Sequence, residues 1–392
     1  MPAAEAAQQF EALEAQAQKL VSVFAQADYE PVAPALIQPA GLFLDVIGEA
    51  LRARTYVFTD PDGEELCLRP DLTVPTCRLH LARHPAGNVP AKYCYNGAVF
   101  RYQRGGASAA HPREFRQAGI ENFAAADREA ADALTVALCA RALDAAGIAD
   151  SALRIGDLGI FANLLSALGM PKRWERRLRQ TFGRPDAFRT ELRRLTADPV
   201  GAAPGAPRNL VAKLDPDDRA GATQIVADHL DAAGLELIGT RTLPEIVDSL
   251  LAMAADARTA PLDAGAATLI ESYLAIRAPA RDAVDRIAGL AAGRRLDIAP
   301  ALDAFVRRLD LLDGEGGRTS AVEFSAEFGR NLQYYTGFVF EIVAPMLGAQ
   351  SPLAGGGRYD NLLRDVGAPV DVPAVGASIH TERVLAVSQG AA

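Results

Sequence analysis

The chain has 392 residues, of which 49% are hydrophobic and 23% charged. That balance belongs to a folded globular protein of two or three domains and excludes a mainly disordered chain. Lys and Arg number 40 against 49 Asp and Glu, a formal charge of −9, which argues against a protein whose main work is gripping nucleic acid.

Phe10, Leu13, Ala17, Leu20, Val21 and Phe24 recur at helical spacing, so the chain opens with an amphipathic helix ending near Asp28. The opening residues hold no basic segment followed by an apolar run, so no signal peptide is expected. No window reaches the length of an apolar membrane span either. Pro31 and Pro34 force residues 29–37 into an extended, edge-strand conformation. Residues 42–51 return to helical spacing. Residues 55–59 and 65–69 form a hairpin about the turn Asp60-Pro61-Asp62-Gly63. A longer hairpin follows, with strands at 93–103 and 114–123 and a flexible loop from 104 to 110. A helix at 125–146 is closed by Gly147. Cys67, Cys77, Cys94 and Cys139 show no CxxC spacing, so neither a zinc site nor a redox motif is expected, and the chain reads as reduced and cytoplasmic.

Residues 171–317 are rich in Ala, Leu, Arg and Asp at helical spacing and read as a helical insertion, interrupted by a Pro/Gly/Ala connector at 198–207. Strands return at 322–328 and 335–343. A loop at Gly355-Gly356-Gly357 leads to a short helix at 359–366, a strand at 374–379 and a last helix at 382–387. The expected fold is α+β: a core of antiparallel strands flanked by helices, in two parts at 1–170 and 318–392, with the helical domain inserted between them. Neither GxGxxG nor a Walker P-loop is present.

Several polar residues fall inside stretches that otherwise read as sheet core. Arg69, Asp71 and Thr73 end the first hairpin. Arg101 and Gln103 are two apart on one strand of the second hairpin, and Gln117 and Glu121 are four apart on the other, so each pair shares a face. Glu323, Glu327 and Arg330 lie near the late strands, followed by Tyr334 and Tyr335. Such a face is costly to bury unless something polar binds there; carboxylates suit an ammonium or imidazolium, and guanidinium groups suit a carboxylate or phosphate. Plainer readings fit the same spacing. The face can be a solvated sheet face, Asp71 can cap a helix starting near Leu72, the glycine run can be a turn, the tyrosines can be packing, and His111 can be a solvated loop residue.

The runs Leu68-Arg69-Pro70-Asp71-Leu72-Thr73, Phe100-Arg101-Tyr102-Gln103-Arg104 and Arg113-Glu114-Phe115-Arg116-Gln117-Ala118-Gly119-Ile120-Glu121 resemble histidyl-tRNA synthetases. The first is similar to that family's amino-acid-binding segment, L-R-P-E-G-T, and the others to class II motif 2. Residues 29–45 resemble motif 1, the dimer-forming strand. Residues 329–341, with Tyr334-Tyr335, resemble the histidine signature R-G-L-D-Y-Y, and Gly356-Gly357-Arg358-Tyr359-Asp360 and Gly376-Ala377-Ser378-Ile379-His380-Thr381-Glu382-Arg383 the glycine loop and motif 3. The resemblance implies a class II synthetase-like fold, with Asp71, Thr73, Gln117, Glu121, Tyr334 and Tyr335 holding an amino acid and Arg101 and Arg330 as its arginines.

The departures point to a paralogue. Only a few residues follow Arg383, so no anticodon-binding domain is expected. Gln103 replaces the glutamate of F-R-x-E, and His380 replaces the second glycine of G-x-G-x-E-R, so Gln103, His380 and Arg383 read as a degenerate nucleotide site. Asp71-Leu72 and Gln333 replace the family's Glu-Gly and Asp. This combination resembles the regulatory subunits of short-form ATP phosphoribosyltransferase. The resemblance implies a non-catalytic subunit that acts with a short catalytic subunit in the first step of histidine biosynthesis and senses histidine. It also implies a homodimer within a hetero-oligomer, no cofactor or metal, and no membrane or nucleic-acid partner. The rival expectation is a truncated enzyme that activates histidine with ATP.

Overall fold

The computed structural model describes residues 7–46, 49–108, 111–197, 208–234, 242–316, 322–329, 334–348 and 351–390. Arg330, Gln333 and the connector at 198–207 lie outside the described residues. The chain divides into two compact units, Met1–Ala167 with Tyr273–Ala392, and Leu168–Ser272.

The strands of the first unit are β1 (Glu30–Pro31), β2 (Ile37–Pro39), β3 (Tyr56–Thr59), β4 (Glu65–Leu68), β5 (Ala91–Phe100), β6 (Glu114–Phe123), β7 (Ala152–Asp157), β8 (Arg277–Pro279), β9 (Glu323–Ser325), β10 (Phe338–Val343), β11 (Ala354–Arg358) and β12 (Ala374–His380). Among the described residues nine of them form one sheet in the order β1-β5-β6-β12-β11-β10-β7-β9-β8, and β2-β4-β3 form a small second sheet. The large sheet is antiparallel except where β1 meets β5 and β7 meets β9. Crossovers from distant parts of the chain place the motif 2 hairpin beside the late strands, with β12 hydrogen-bonded to both β6 and β11.

Helices Ala7–Ala25 and Arg128–Ala145 pack against the sheet. The first buries Leu13, Ala17, Leu20 and Phe24. The second begins at Asp127, whose side chain accepts the Ala130 N–H at 3.1 Å, an N-cap that satisfies a free helix donor. Arg358 reaches Asp132 of this helix, Nη2 to Oδ1 at 2.7 Å, which puts the helix on the sheet face opposite Gly357. Arg308 joins the same carboxylate at 2.8 Å and Asp157 at 2.9 Å. All four groups are buried, so each charge is matched within the protein rather than by water.

Three features differ from the sequence reading. The Gly355-Gly356-Gly357 run is not a loop but the middle of β11, between β10 and β12. A Cβ on Gly356 would stand 2.2 Å from the Gly376 carbonyl oxygen, so glycine is what lets these strands approach. The insertion ends earlier than residue 317: helices Ala280–Gly293 and Ala299–Gly314 belong to the first unit, the latter tied in through Arg308. Finally β7, absent from the sequence reading, lies inside the large sheet.

The second unit is helical among its described residues. Leu210, Val211, Leu214, Val226, Val247, Leu250 and Leu251 form an apolar core. A buried carboxylate, Asp256, accepts from Trp174 Nε1 at 2.6 Å, from Arg177 at 2.9 Å and from Arg173. Among the described residues no helix is long and apolar enough to cross a membrane.

Candidate binding site

Cross-strand register sets the site. Tyr93, Tyr95 and Gly97 of β5 stand opposite Glu121, Gly119 and Gln117 of β6. Those in turn face Gly376, Ser378 and His380 of β12. Opposed residues of an antiparallel pair project to one face, so this row continues through Gly355 and Gly357 of β11. The outcome is a glycine-rich face with Glu121 at one end and Gln117 at the other, the Tyr95 ring lying against Gly119 and the Arg69 guanidinium against Gly97. Glycine is required there: a Cβ on Gly376 would lie 1.6 Å from Glu121 Oε2.

Glu121 is fully buried. Its Oε1 accepts from the Tyr95 hydroxyl at 2.9 Å, its Oε2 from the Tyr359 hydroxyl, and Thr73 also hydrogen-bonds to it. Burial pushes the carboxyl up to about 7, against those hydrogen bonds and with help from the Asp71 charge. Tyr334 closes one side, its ring 4.8 Å from Tyr335 and 5.7 Å from Tyr359. Burial also raises the Tyr334 and Tyr359 phenols, so both stay protonated donors.

Asp71 combines the two roles left open by its spacing. The helix Thr73–Arg83 starts beside it, and its Oδ1 accepts the Val74 N–H at 3.2 Å. Its Oδ2 is buried and accepts no hydrogen bond from the described residues. Burial raises its pKa, and the Arg101 charge is the largest opposing influence. Gln117 is likewise buried. Its Nε2 donates to Ser378 Oγ at 3.4 Å, while its Oε1 accepts nothing from the described residues. Among the described residues these are two buried acceptors without donors, on the same face as a carboxyl raised by burial, an arrangement suited chemically to N–H donors.

Asp71, Thr73, Glu121, Tyr334 and Tyr335 are thus assembled at the Glu121 end of this face, and Gln117 stands two rows along, opposite Gly97 and His380. Arg101 borders them; its Nε donates to the Pro70 carbonyl at 2.9 Å, and its guanidinium lies 5.1 Å from the Phe115 centroid. The residues assigned to a nucleotide are arranged differently. Gln103 accepts from Arg54 at 2.8 Å and donates to the Pro112 carbonyl at 3.0 Å, so its amide is engaged by the protein. His380 is stacked on Phe115. Arg383 donates to the Pro352 carbonyl at 2.8 Å. Arg69 braces backbone rather than ligand, donating to the carbonyls of Ala98 and Pro34. Glu323 forms ion pairs with Arg154 and Arg277.

Tyr95 and Tyr359 are the residues sequence reasoning omitted from the site. Tyr95 shares the β5 face with Gly97, opposite Gly119, and that alternation was the available signal. Nothing local signals that Tyr359 meets Glu121, 238 positions away.

The histidyl-tRNA synthetase family model matches residues 6–214 and 219–384. The ATP phosphoribosyltransferase regulatory subunit of Brucella anthropi is 37% identical over 89% of this chain and 90% of its own length. That of Mesorhizobium japonicum is 36% identical over 96% of this chain and 98% of its own. Among solved structures, an ATP phosphoribosyltransferase regulatory subunit/histidyl-tRNA synthetase from Bacillus halodurans superposes with a TM-score of 0.65 at 21% identity, covering 98% of this chain and 81% of that one. A histidine–tRNA ligase subunit from Alicyclobacillus acidocaldarius gives 0.59 at 25% identity, covering 100% and 97%. The fold is therefore that of the class II, histidyl-tRNA synthetase-like proteins.

Proposed function

The chain belongs to the ATP phosphoribosyltransferase regulatory subunit family, and from that premise we propose that its buried pocket receives free histidine and reports it to a separate short catalytic subunit. The observation carrying this reading is the pair of buried acceptors without donors among the described residues, Asp71 Oδ2 and Gln117 Oε1, on the face that carries buried Glu121. The ligand's ammonium and imidazole meet Asp71, Gln117, Glu121 and the hydroxyls of Tyr334 and Tyr335, with Thr73 supporting Glu121. Arg101 or Arg330 faces the ligand carboxylate. The chain makes no adenylate of its own in this reading, because Gln103 is engaged by Arg54 and Pro112 and His380 lies on Phe115. It works without cofactor or metal in the cytoplasm, and its four buried free cysteines fit a reducing compartment.

A second copy of the chain covers the outer face of the small sheet. There Ile37, Leu68 and Tyr56 form one cross-strand row and Pro39, Leu66 and Phe58 the next, with Ile37 50% exposed. The homodimer sits within a hetero-oligomer with the catalytic subunit. Feedback needs only a coupling of about 1–3 kcal/mol between histidine binding and the active assembly.

The test is co-purification with a short-form catalytic subunit, then turnover with and without histidine. The complex should be inhibited by histidine. Asp71→Asn keeps an acceptor for the Val74 N–H but removes the charge, and should raise the half-inhibiting histidine concentration roughly 10-fold or more, the value of a charge-assisted hydrogen bond. An Asp71→Asn complex as sensitive as the parent would refute the site. Histidine-dependent ATP–pyrophosphate exchange by the chain alone would instead support the histidine-activating enzyme.

A further inference from the structure

Asp71 and Glu121 are two buried carboxyls in one pocket, and the protein compensates them unequally. Asp71 Oδ1 accepts the Val74 N–H, and the charges of Arg101 and Arg69 offset its burial. Glu121 forms no ion pair among the described residues. What faces it is the Tyr95 hydroxyl from β5, the Tyr359 hydroxyl just beyond β11, Thr73 and the Cys77 thiol from the helix Thr73–Arg83, and the Asp71 charge. Tyr29 beside β1 and Tyr334 before β10 complete the surround, and β12 offers only the backbone of Gly376. Of two carboxyls so placed, the one without a cation keeps a proton, and burial pushes Glu121 up to about 7.

The Glu121 end is therefore rich in acids. The Tyr95, Tyr334 and Tyr359 phenols are all held protonated by burial, and the carboxyl adds a further O–H. A partner for this end is a base with a free lone pair, flat enough to lie among tyrosine rings whose centroids, for Tyr334 and Tyr359, are 5.7 Å apart. An imidazole ordinarily titrates at about 6.5, close to Glu121, so a proton passes between the two at little cost. The ammonium of the same ligand suits Asp71 Oδ2 and Gln117 Oε1, the acceptors without donors among the described residues.

We propose that Glu121 acts as an acid toward its ligand, holding a proton until an imidazole enters and then passing it to the ring nitrogen, so that the pocket selects histidine by the basicity of its ring. The carboxyl O–H bond breaks with its electron pair left on Glu121, and an N–H bond forms on the ring's lone pair. An imidazolium–carboxylate pair remains, with the Tyr95 and Tyr359 hydroxyls donating to the new carboxylate. The inference rests on the histidine pocket proposed above and states what that pocket reads.

L-histidine is titrated calorimetrically into the chain, and into its complex with a short catalytic subunit, in phosphate and in Tris buffers up to about pH 8, below the loss of the ligand's ammonium proton. Affinity should peak between the ordinary imidazole value of about 6.5 and the Glu121 value of about 7, and fall about tenfold for each pH unit beyond either. The difference in heat between the buffers should show a proton released on the acid side of the peak and a proton taken up on the alkaline side. Triazolylalanine, whose ring has the size of imidazole but is too weak a base, should bind at least about tenfold more weakly than L-histidine at the peak. Glu121→Gln, checked for folding by circular dichroism, should lose the alkaline fall and the preference over triazolylalanine. Affinity that rises with pH to a plateau, equal heats in both buffers at every pH, triazolylalanine bound as tightly as L-histidine, or an alkaline fall that survives in folded Glu121→Gln overturns the proposal and leaves the histidine pocket standing. L-histidine bound by neither the chain nor the complex overturns both. If Glu121→Gln does not fold, the parent's pH profile and its response to triazolylalanine decide.

Discussion

Replacing Glu121 with Gln isolates the energetics of the pocket. The carboxyl ordinarily titrates near 4.5 and is pushed up to about 7 by burial. Below 4.5 it is protonated in the folded and unfolded chains alike and costs nothing. Between 4.5 and about 7 the unfolded chain ionises first, so the folded state holds more protons and loses stability as pH rises. Above about 7 both states are ionised and the cost is complete. At about 1.4 kcal/mol per pH unit, that interval amounts to about 3 kcal/mol. Glutamine removes the titration and keeps the pairing: its amide oxygen accepts from one tyrosine hydroxyl, and its NH2 donates to the other's oxygen.

Glu121→Gln should therefore match the parent in ligand-free stability near pH 4.5 and exceed it by about 3 kcal/mol at pH 8. Urea unfolding read by tyrosine near-ultraviolet circular dichroism is the assay, because Tyr95, Tyr334 and Tyr359 surround the substituted group. The single tryptophan, Trp174, lies in the other unit, and its fluorescence is an internal control that should not respond. A stability difference independent of pH, or a parent that gains on the variant as pH rises, would refute the reasoning.

Gly376→Ala drives a methyl into Glu121 Oε2 and to 2.7 Å from the Ile120 carbonyl, so it should lower stability by at least about 1–3 kcal/mol and abolish histidine binding. Gly289→Ala is the contrast: nothing lies within 4 Å in the exposed middle of the Ala280–Gly293 helix, so the change should stabilise by up to about 1 kcal/mol in the same urea titration. Arg308→Ala leaves Asp132 and Asp157 buried with less compensation, and should cost about 3–5 kcal/mol. A loss under about 1 kcal/mol would mean the network is dispensable.

The sequence shows period-two placement clearly where a strand alternates polar and apolar residues. Gln117 and Glu121 are legible as one face because β6 is regular over ten residues. Asp71 is legible as polar and buried, but the choice between helix cap and ligand acceptor is not, because one oxygen does each and nothing local distinguishes the two. The end of the insertion is illegible for a similar reason. The helices at 280–314 have the same Ala, Leu and Arg spacing as those before them, and long-range contacts, such as the bonds of Arg308 to Asp132 and Asp157 and of Arg307 to Asp127, assign the last of them to the first unit.

β11 shows why the glycine-rich face escapes local reading. Three consecutive glycines score as a turn because strand propensity measures how side chains pack, and these residues have none. The need for glycine comes from neighbours more than fifteen positions away: the Gly376 carbonyl beside Gly356 of β11, and the Glu121 carboxylate beside Gly376 of β12. A glycine needed for its own φ is visible from the turn around it, whereas a glycine needed because another strand comes close is visible only in the folded sheet. The same closeness that hides β11 from propensity lets the Glu121 carboxylate lie against Gly376 and the Tyr95 ring against Gly119.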